Sequence, residues 1–246
     1  MTSTLTDNDP IPLPAGDLVF GITLRVPSRH IVTHDSAQWA IDAAGNVTEA
    51  APAALCGRSV RLATSWGAYD PDSTYRRTSF CHECAWIVAL HHGTVDTEIA
   101  SYTVDDVNAA AITVAGGDPT MGPRLLRAIA ADTSLAPAGG LERSHLAQLL
   151  THASWHLPAV ALCEECADFG IANAHDGAAQ CPNHIVYCLG CTPTAGEWAG
   201  EWEDTLLQEC IVAAPCAVQT TLATYYEIHT PPSARDMPSP HANPHP

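Results

Sequence analysis

The sequence predicts an α+β fold of two small lobes joined by a helical segment. Three observations carry that expectation. Residues after Asp17 run in short β-type stretches broken by turn residues. Residues 94–158 hold no cysteine and show helical spacing of apolar positions. The ten cysteines fall in two groups, one before residue 93 and one after residue 159, and three pairs of them have the C-x-x-C spacing. The expected organisation is therefore a β-rich lobe over 17–93, a helical connecting segment over 94–158 and a cysteine-rich lobe over 159–228. Residues 1–16 and the tail 229–246, rich in Pro and polar residues, lack the apolar side chains that offset ordering entropy and are expected to be disordered.

In the first lobe, DLVFGITLRV, HIVTH and QWAIDAAGNVTEA read as strands of a meander, with Ala-Gly-Asn as a turn. The meander leads into Leu55-Cys56-Gly57-Arg58. After a polar loop around Asp70-Pro71-Asp72, FCHECAWIVALHHG predicts a short helix carrying Cys84, Ala85, Ile87, Val88 and Leu90, closed by Gly93. Farther on, PTMGPRLLRAIAAD places Leu125, Leu126, Ile129 and Ala130 on one helical face. The segment LERSHLAQLLTHASWH repeats the pattern, with Leu146, Leu150 and Ala153 as the apolar face. His145, His152 and His156 form a stripe beside it, for which a solvated or supporting role is expected rather than ligation. APCAVQTTLATYYEI predicts a last helix ending near Ile228.

Ten cysteines in a chain with no signal-peptide pattern point to metal rather than disulfides, because a reducing cytosol keeps thiols reduced. No run of 18 or more apolar residues occurs, so a cytoplasmic protein without membrane association is expected. Structural zinc takes four Cys or His ligands, and C-x-x-C lets two thiolates of one turn reach the same tetrahedron. The first pair, Cys81 and Cys84, needs two partners. Cys56 is the only other cysteine before residue 163, and His30, on a strand leading toward the Leu55-Cys56-Gly57 turn, is the preferred fourth ligand. His34, His82, His91 and His92 compete with it.

The second lobe reads Cys163-x2-Cys166-x14-Cys181-x2-His184-x3-Cys188-x2-Cys191-x18-Cys210-x5-Cys216. Up to Cys191 the spacing resembles the cross-braced RING pattern, in which the first and third pairs share one ion and the second and fourth share another. The last pair departs from that pattern, with five intervening residues instead of two. Cys163, Cys166, Cys188 and Cys191 alternatively form a simple zinc ribbon. Cys181, His184, Cys210 and Cys216 then either hold a further ion or include buried free thiols. The expectation is two or three Zn²⁺ in a β-rich zinc knuckle and a helical zinc-ribbon or RING-like lobe.

Charge restricts the function classes. The net charge is −17; residues 1–92 carry six Arg against nine acids, and residues 93–246 carry four Arg against eighteen. All ten basic residues are Arg. Affinity for nucleic acid rests largely on Lys and Arg neutralising phosphates, so autonomous sequence-specific DNA binding is not expected. Docking on a basic protein is compatible with this balance. A competing reading, a zinc-finger transcription regulator or nucleic-acid binder, would use Arg58, Arg61, Arg76 and Arg77 on the less acidic lobe.

Several chemistries lack their residues. A catalytic zinc keeps an open position beside a base, yet no H-E-x-x-H occurs and no proline precedes the C-x-x-C pairs as in the deaminases. No G-x-S-x-G, P-loop or G-x-G-x-x-G is present. The chain is therefore expected not to be an enzyme and to take no small-molecule substrate. Redox use of Cys163-Glu164-Glu165-Cys166 is disfavoured, because two carboxylates between the thiols oppose thiolate formation unless a cation compensates. Cys81-His82-Glu83-Cys84 stays open on that point, since a protonated His82 would favour a thiolate.

Between Gly196 and Cys210 the chain reads GEWAGEWEDTLLQEC, which sets Trp198 and Trp202 four residues apart among acids. Both serve either as core anchors of the second lobe or as partner-binding residues. Together with LCGR at 55–58, CHECAW at 81–86 and the APC element at 214–216, this stretch resembles the recombination directionality factors of Streptomyces phages. The resemblance implies an accessory protein without enzymatic activity. Such a protein binds a large serine integrase and switches it from integration to excision between attL and attR sites, and it does not recognise DNA by itself.

Overall fold

Short strands and mostly short helices make up the computed structural model, which describes residues 18–22, 29–33, 53–62, 81–135, 140–195 and 206–228. The expected disordered termini, the QWAIDAAGNVTEA stretch, Asp70-Pro71-Asp72, His34, Arg76, Arg77, Trp198 and Trp202 lie outside the described residues. The architecture is mixed helix and small sheet. The chain divides into two compact units, one comprising Met1–Ser101 and Ile129–Thr151, the other Tyr102–Ala128 and His152–Pro246. Residues 94–158 are thus shared between the units.

In the first unit, β1 (Leu18–Ile22) pairs antiparallel with β2 (Arg29–Thr33) in the register Leu18↔Thr33 to Ile22↔Arg29, and with the two-residue β3 (Arg61–Leu62) on its other side. The β-branched pair Ile31-Val32 suits a buried strand, and these two side chains and that of His30 are fully buried. The turn at 54–58 is fastened to β2 by donation from Leu55 N–H to the Ile31 carbonyl at 2.8 Å. Gly57 sits there at φ +79°, a conformation that L side chains rarely adopt.

Helix α1 (His82–His92) begins after Cys81 and ends on Gly93 in the left-handed conformation, as its sequence predicts. Cys81 N–H donates to the Arg29 carbonyl at 2.8 Å, which fixes the helix start against β2. Helix α2 (Val95–Ala100) follows α1 directly. Around the first cysteine-bearing turn, Ile31, Val32, Ala54, Val60, Cys84 and Val88 form one buried cluster, with Leu55, Cys56 and Cys81 packed against it. Each buried aliphatic side chain contributes about 1.5–3 kcal/mol before the entropy cost, and the cysteines sit at the edge of this cluster.

The second unit contains α3 (Asp106–Val114), whose N-terminus is capped by Asp105 Oδ1 accepting from Asn108 N–H at 2.9 Å. Helix α4 (Met121–Ala130) buries Leu125, Leu126 and Ile129 completely, on the face the sequence predicts. Asp118 leads into it, accepting from Thr120 N–H and pairing with Arg124 at 3.0 Å. Helix α5 (Gly140–Trp155) buries Leu146, Ala147, Leu150 and Ala153, whereas His145 and His152 are exposed. The chain passes from one unit to the other after Ser101, within α4 and within α5.

Past α5 a two-stranded ribbon forms from β4 (Pro158–Ala161) and β5 (Ile185–Cys188), antiparallel with Pro158 opposite Cys188 and Ala161 opposite Ile185. Between these strands lie α6 (Glu164–Phe169) and α7 (Ile171–Ala174); after them comes α8 (Ala217–Tyr225). No helix among the described residues is long and apolar enough to cross a membrane.

Candidate metal centres

Three Cys3His groups emerge from this framework. They are His30, Cys56, Cys81 and Cys84; Cys163, Cys166, His175 and Cys181; and His156, Cys188, Cys191 and Cys216. Within each group the four candidate ligand atoms lie within 4.8 Å of one another. All of the cysteines are free thiols.

The spacings test the fit to a metal. A tetrahedron with Zn–S near 2.3 Å and Zn–N near 2.0–2.1 Å has an S···N edge of about 3.6 Å. His30 Nδ1 stands 3.3 Å from Cys56 Sγ and 3.8 Å from Cys84 Sγ. His175 Nε2 stands 3.3 Å from Cys163 Sγ and 3.5 Å from Cys181 Sγ. His156 Nδ1 stands 3.3, 3.5 and 3.6 Å from the sulfurs of Cys191, Cys188 and Cys216. These are the edges of tetrahedra sized for a small divalent ion with thiolate and imidazole ligands, and zinc fits them.

One construction recurs. Cys81, Cys163 and Cys216 each occupy the position just before a helix, at α1, α6 and α8. A thiolate there meets the unpaired N–H groups and the positive end of the helix dipole. Hydrogen bonds with the Cys56 and Cys84 thiols, helped by Cys84 and Glu83 N–H, hold the Cys81 thiol down to about 3 despite burial. Contacts with Cys56 and Cys81, and burial after them, push Cys84 above its ordinary value.

The other two groups repeat this division. Burial and the neighbouring Cys163 and Cys181 thiols push Cys166 up to about 12. In Cys181, burial is outweighed by N–H donation from Cys163 and Asn183, which brings the thiol down to about 6. Burial, then Cys216 and Cys191, push Cys188 up to about 12. Cys216 is lowered against burial by Gln219 N–H and the Cys188 thiol. A crowded set of thiols can lose one proton but resists losing three, unless a cation joins them.

Other groups in contact with the sites are also shifted. Burial, with His152 adding to it, lowers the pKa of His156 and keeps the imidazole neutral, as a ligand must be. His152 and His156 meet edge to face, with ring centroids 4.7 Å apart. Burial also lowers the pKa of His82, which removes the protonated neighbour that a redox role for Cys81 and Cys84 would use.

The first centre assembles the set expected from sequence: His30 from β2, Cys56 from the 54–58 turn, and Cys81 and Cys84 from the start of α1. His82, His91 and His92 lie on α1 outside it.

The cysteine-rich part is partitioned differently from both the cross-braced and the ribbon expectations. Cys163 and Cys166 do not share a site with Cys188 and Cys191. The β4–β5 ribbon explains why. Cys188 stands opposite Pro158 at one end, whereas Cys163 follows Ala161 at the other, and that strand length separates them by on the order of 10 Å. The two centres are nested in sequence: the Cys163–Cys181 group is enclosed between His156 and Cys188.

The expected set of Cys181, His184, Cys210 and Cys216 is likewise taken apart. Cys181 completes the second centre and Cys216 the third. His184 instead donates from Nδ1 to the Cys181 carbonyl at 2.7 Å, bracing the turn behind that ligand. Cys210 is exposed in a 3-10 turn, Gln208–Cys210, and belongs to none of the three groups.

The two histidines that replace them belong to no C-x-x-C unit. His175 follows the short α7, where Asp176 and Gly177 at φ 49° and 82° reverse the chain toward Cys181. The sequence places His156 on the solvated stripe of α5. The helix ends at Trp155, however, so His156 leaves the stripe and is buried beside β4. The available signal was its place just before the Leu157-Pro158 strand start.

The third centre is also held by backbone bonds. Cys188 N–H donates to the Val212 carbonyl at 2.8 Å, and Thr192 N–H to the Cys188 carbonyl at 3.0 Å. At Gly190 a Cβ would lie 2.6 Å from the Trp155 carbonyl oxygen, so only glycine fits that turn against the end of α5.

Each centre presents four protein donors and leaves no coordination position for water or substrate in a tetrahedral ion, the arrangement of structural rather than catalytic zinc. Comparison with protein-family models, curated proteins and solved structures returned no match for this chain.

Proposed function

We propose that this chain is a non-enzymatic, zinc-scaffolded regulator that works by binding another protein. On the resemblance of its LCGR, CHECAW, GEWAGEWEDTLLQEC and APC elements, that partner is a large serine integrase, which it turns toward excisive attL × attR recombination. The observation that carries the non-enzymatic reading is the closure of all three Cys3His sets: the metal has a structural task and no free position for chemistry. The charge of −17 supports a basic protein as partner and opposes contact with phosphates. Switching an integrase in this way requires only that the regulator bind one of its conformations more tightly than the other.

The test is direct. The zinc-loaded chain is immobilised and challenged with the serine integrase of the same genome, and separately with naked attachment-site DNA at physiological salt. Retention of the integrase without a DNA shift is expected. A sequence-specific DNA shift by the chain alone would overturn the reading in favour of a zinc-finger DNA binder.

A further inference from the structure

The third metal centre stands among exposed apolar side chains. Leu189, between Cys188 and Gly190, is 55% exposed, and its N–H donates to the Leu157 carbonyl. Trp155 is 52% exposed, and its backbone is what Gly190 packs against. Val212, whose carbonyl accepts from Cys188 N–H, is 37% exposed. Three separate chain segments thus bring an aromatic and two aliphatic side chains to the surface around one knuckle. Isolated exposed hydrophobes are ordinary, but several gathered on a cross-linked turn indicate a contact surface.

Charge selects the occupant. From residue 152 to 228 the sequence contains no Lys or Arg and ten Asp and Glu. Each closed Cys3His site with a divalent ion adds one further negative charge, since three thiolates outweigh the ion. Phosphate-bearing nucleic acid and anionic membrane are both disfavoured by such a charge balance, and an acidic protein is as well.

We propose that the Trp155–Leu189–Val212 surface on the His156-Cys188-Cys191-Cys216 knuckle is the docking face, and that its occupant is an apolar protein ridge flanked by Arg or Lys. Trp155 and Leu189 supply the desolvated anchor, and the uncompensated negative charge of the 152–228 sequence favours basic flanks. The metal fixes the turn that carries Leu189, so docking depends on the loaded third centre. The assignment deepens the reading of the chain as a protein-binding regulator and rests on it.

Two probes separate the failure of the surface from the failure of the integrase assignment. The full-length zinc-loaded chain is titrated with the serine integrase, and with a synthetic amphipathic helix whose Leu face is flanked by Arg. A second helix with Glu in place of Arg serves as the counter-probe. Variants are Trp155→Ala, Leu189→Asp and, as an exposed apolar control elsewhere in the unit, Phe169→Ala. Zinc content is measured for each, and Val212→Ser replaces any variant that loses metal.

The expected result is that wild type and Phe169→Ala bind the Arg helix alike and do not bind the Glu helix, whereas Trp155→Ala and Leu189→Asp weaken Arg-helix binding about tenfold or more. Leu189→Asp adds a negative charge, so its loss of affinity for a basic probe would identify an apolar anchor. Equal binding of the Arg helix by wild type and both patch variants overturns the docking face, even if integrase is retained. Binding of the Arg helix in the expected pattern without any retention of integrase upholds the face and overturns the integrase assignment.

Discussion

Replacing His156 by Ala and, separately, Cys210 by Ser distinguishes the nested centres from a cross-braced arrangement. His156 Nδ1 lies 3.3–3.6 Å from three sulfurs and the side chain is 8% exposed, so its removal takes one of four donors from a buried tetrahedron. Even partners that only hydrogen-bond to a ligand cost about 10–100-fold in metal affinity when removed, so loss of the donor itself should cost at least about 100-fold at that centre. That factor corresponds to about 2.8 kcal/mol. Cys210 is exposed and outside every group, so Cys210→Ser should leave all zinc affinities unchanged. The assay is competition with a chromophoric chelator, counting ions released in each affinity class. The His156 variant should show one weakened ion in three. If Cys210→Ser loses an ion and His156→Ala does not, the partition derived from the β4–β5 ribbon is refuted.

Two further outcomes follow from the geometry. The folded value of Cys181, about 6, and that of Cys81, about 3, both lie below the ordinary thiol value of 9.0. Their contributions are therefore fully present above about 9 and are lost as pH falls through about 6 and about 3 respectively. On acidification the chain should lose zinc and stability together, as read by metal analysis and melting temperature; a melting temperature that does not fall with pH would contradict the thiol arrangement. Gly190→Ala sets a Cβ 2.6 Å from a backbone oxygen that has little room to yield, so the zinc-loaded chain should lose about 1–3 kcal/mol and melt several degrees lower. An unchanged melting temperature would show that the Gly190 turn is not held against Trp155.

What the sequence made legible was local. The helix from His82 to Gly93, the buried faces of α4 and α5 and the last helix are each written in a spacing of three and four residues with a clear stop, and each is present. The first centre was equally accessible, because only one cysteine besides Cys81 and Cys84 precedes residue 163 and the strand carrying His30 leads toward it. Spacing alone misplaces the other two centres, because it does not say which pairs a strand holds apart. Cys163-x2-Cys166 and Cys188-x2-Cys191 look interchangeable in sequence, and only the pairing of β4 with β5 places them at opposite ends of a ribbon. His184 drew attention through its place in a C-x-x-H unit, yet its ring braces the Cys181 carbonyl. His175 and His156 carry no local pattern, since one follows a four-residue helix and the other the last turn of a long one. The remaining clue was numerical: nine cysteines and three histidines make three equal sets, and Cys210 is the odd thiol.

The most direct measurement of the central claim is zinc stoichiometry by elemental analysis combined with X-ray absorption at the zinc edge on the purified, loaded chain. Three closed Cys3His centres predict three zinc ions per chain. They also predict an average first shell of three sulfurs near 2.3 Å and one nitrogen near 2.0–2.1 Å. Two or fewer ions, or a shell containing a water-derived oxygen, would contradict the account of a protein whose metal is entirely structural.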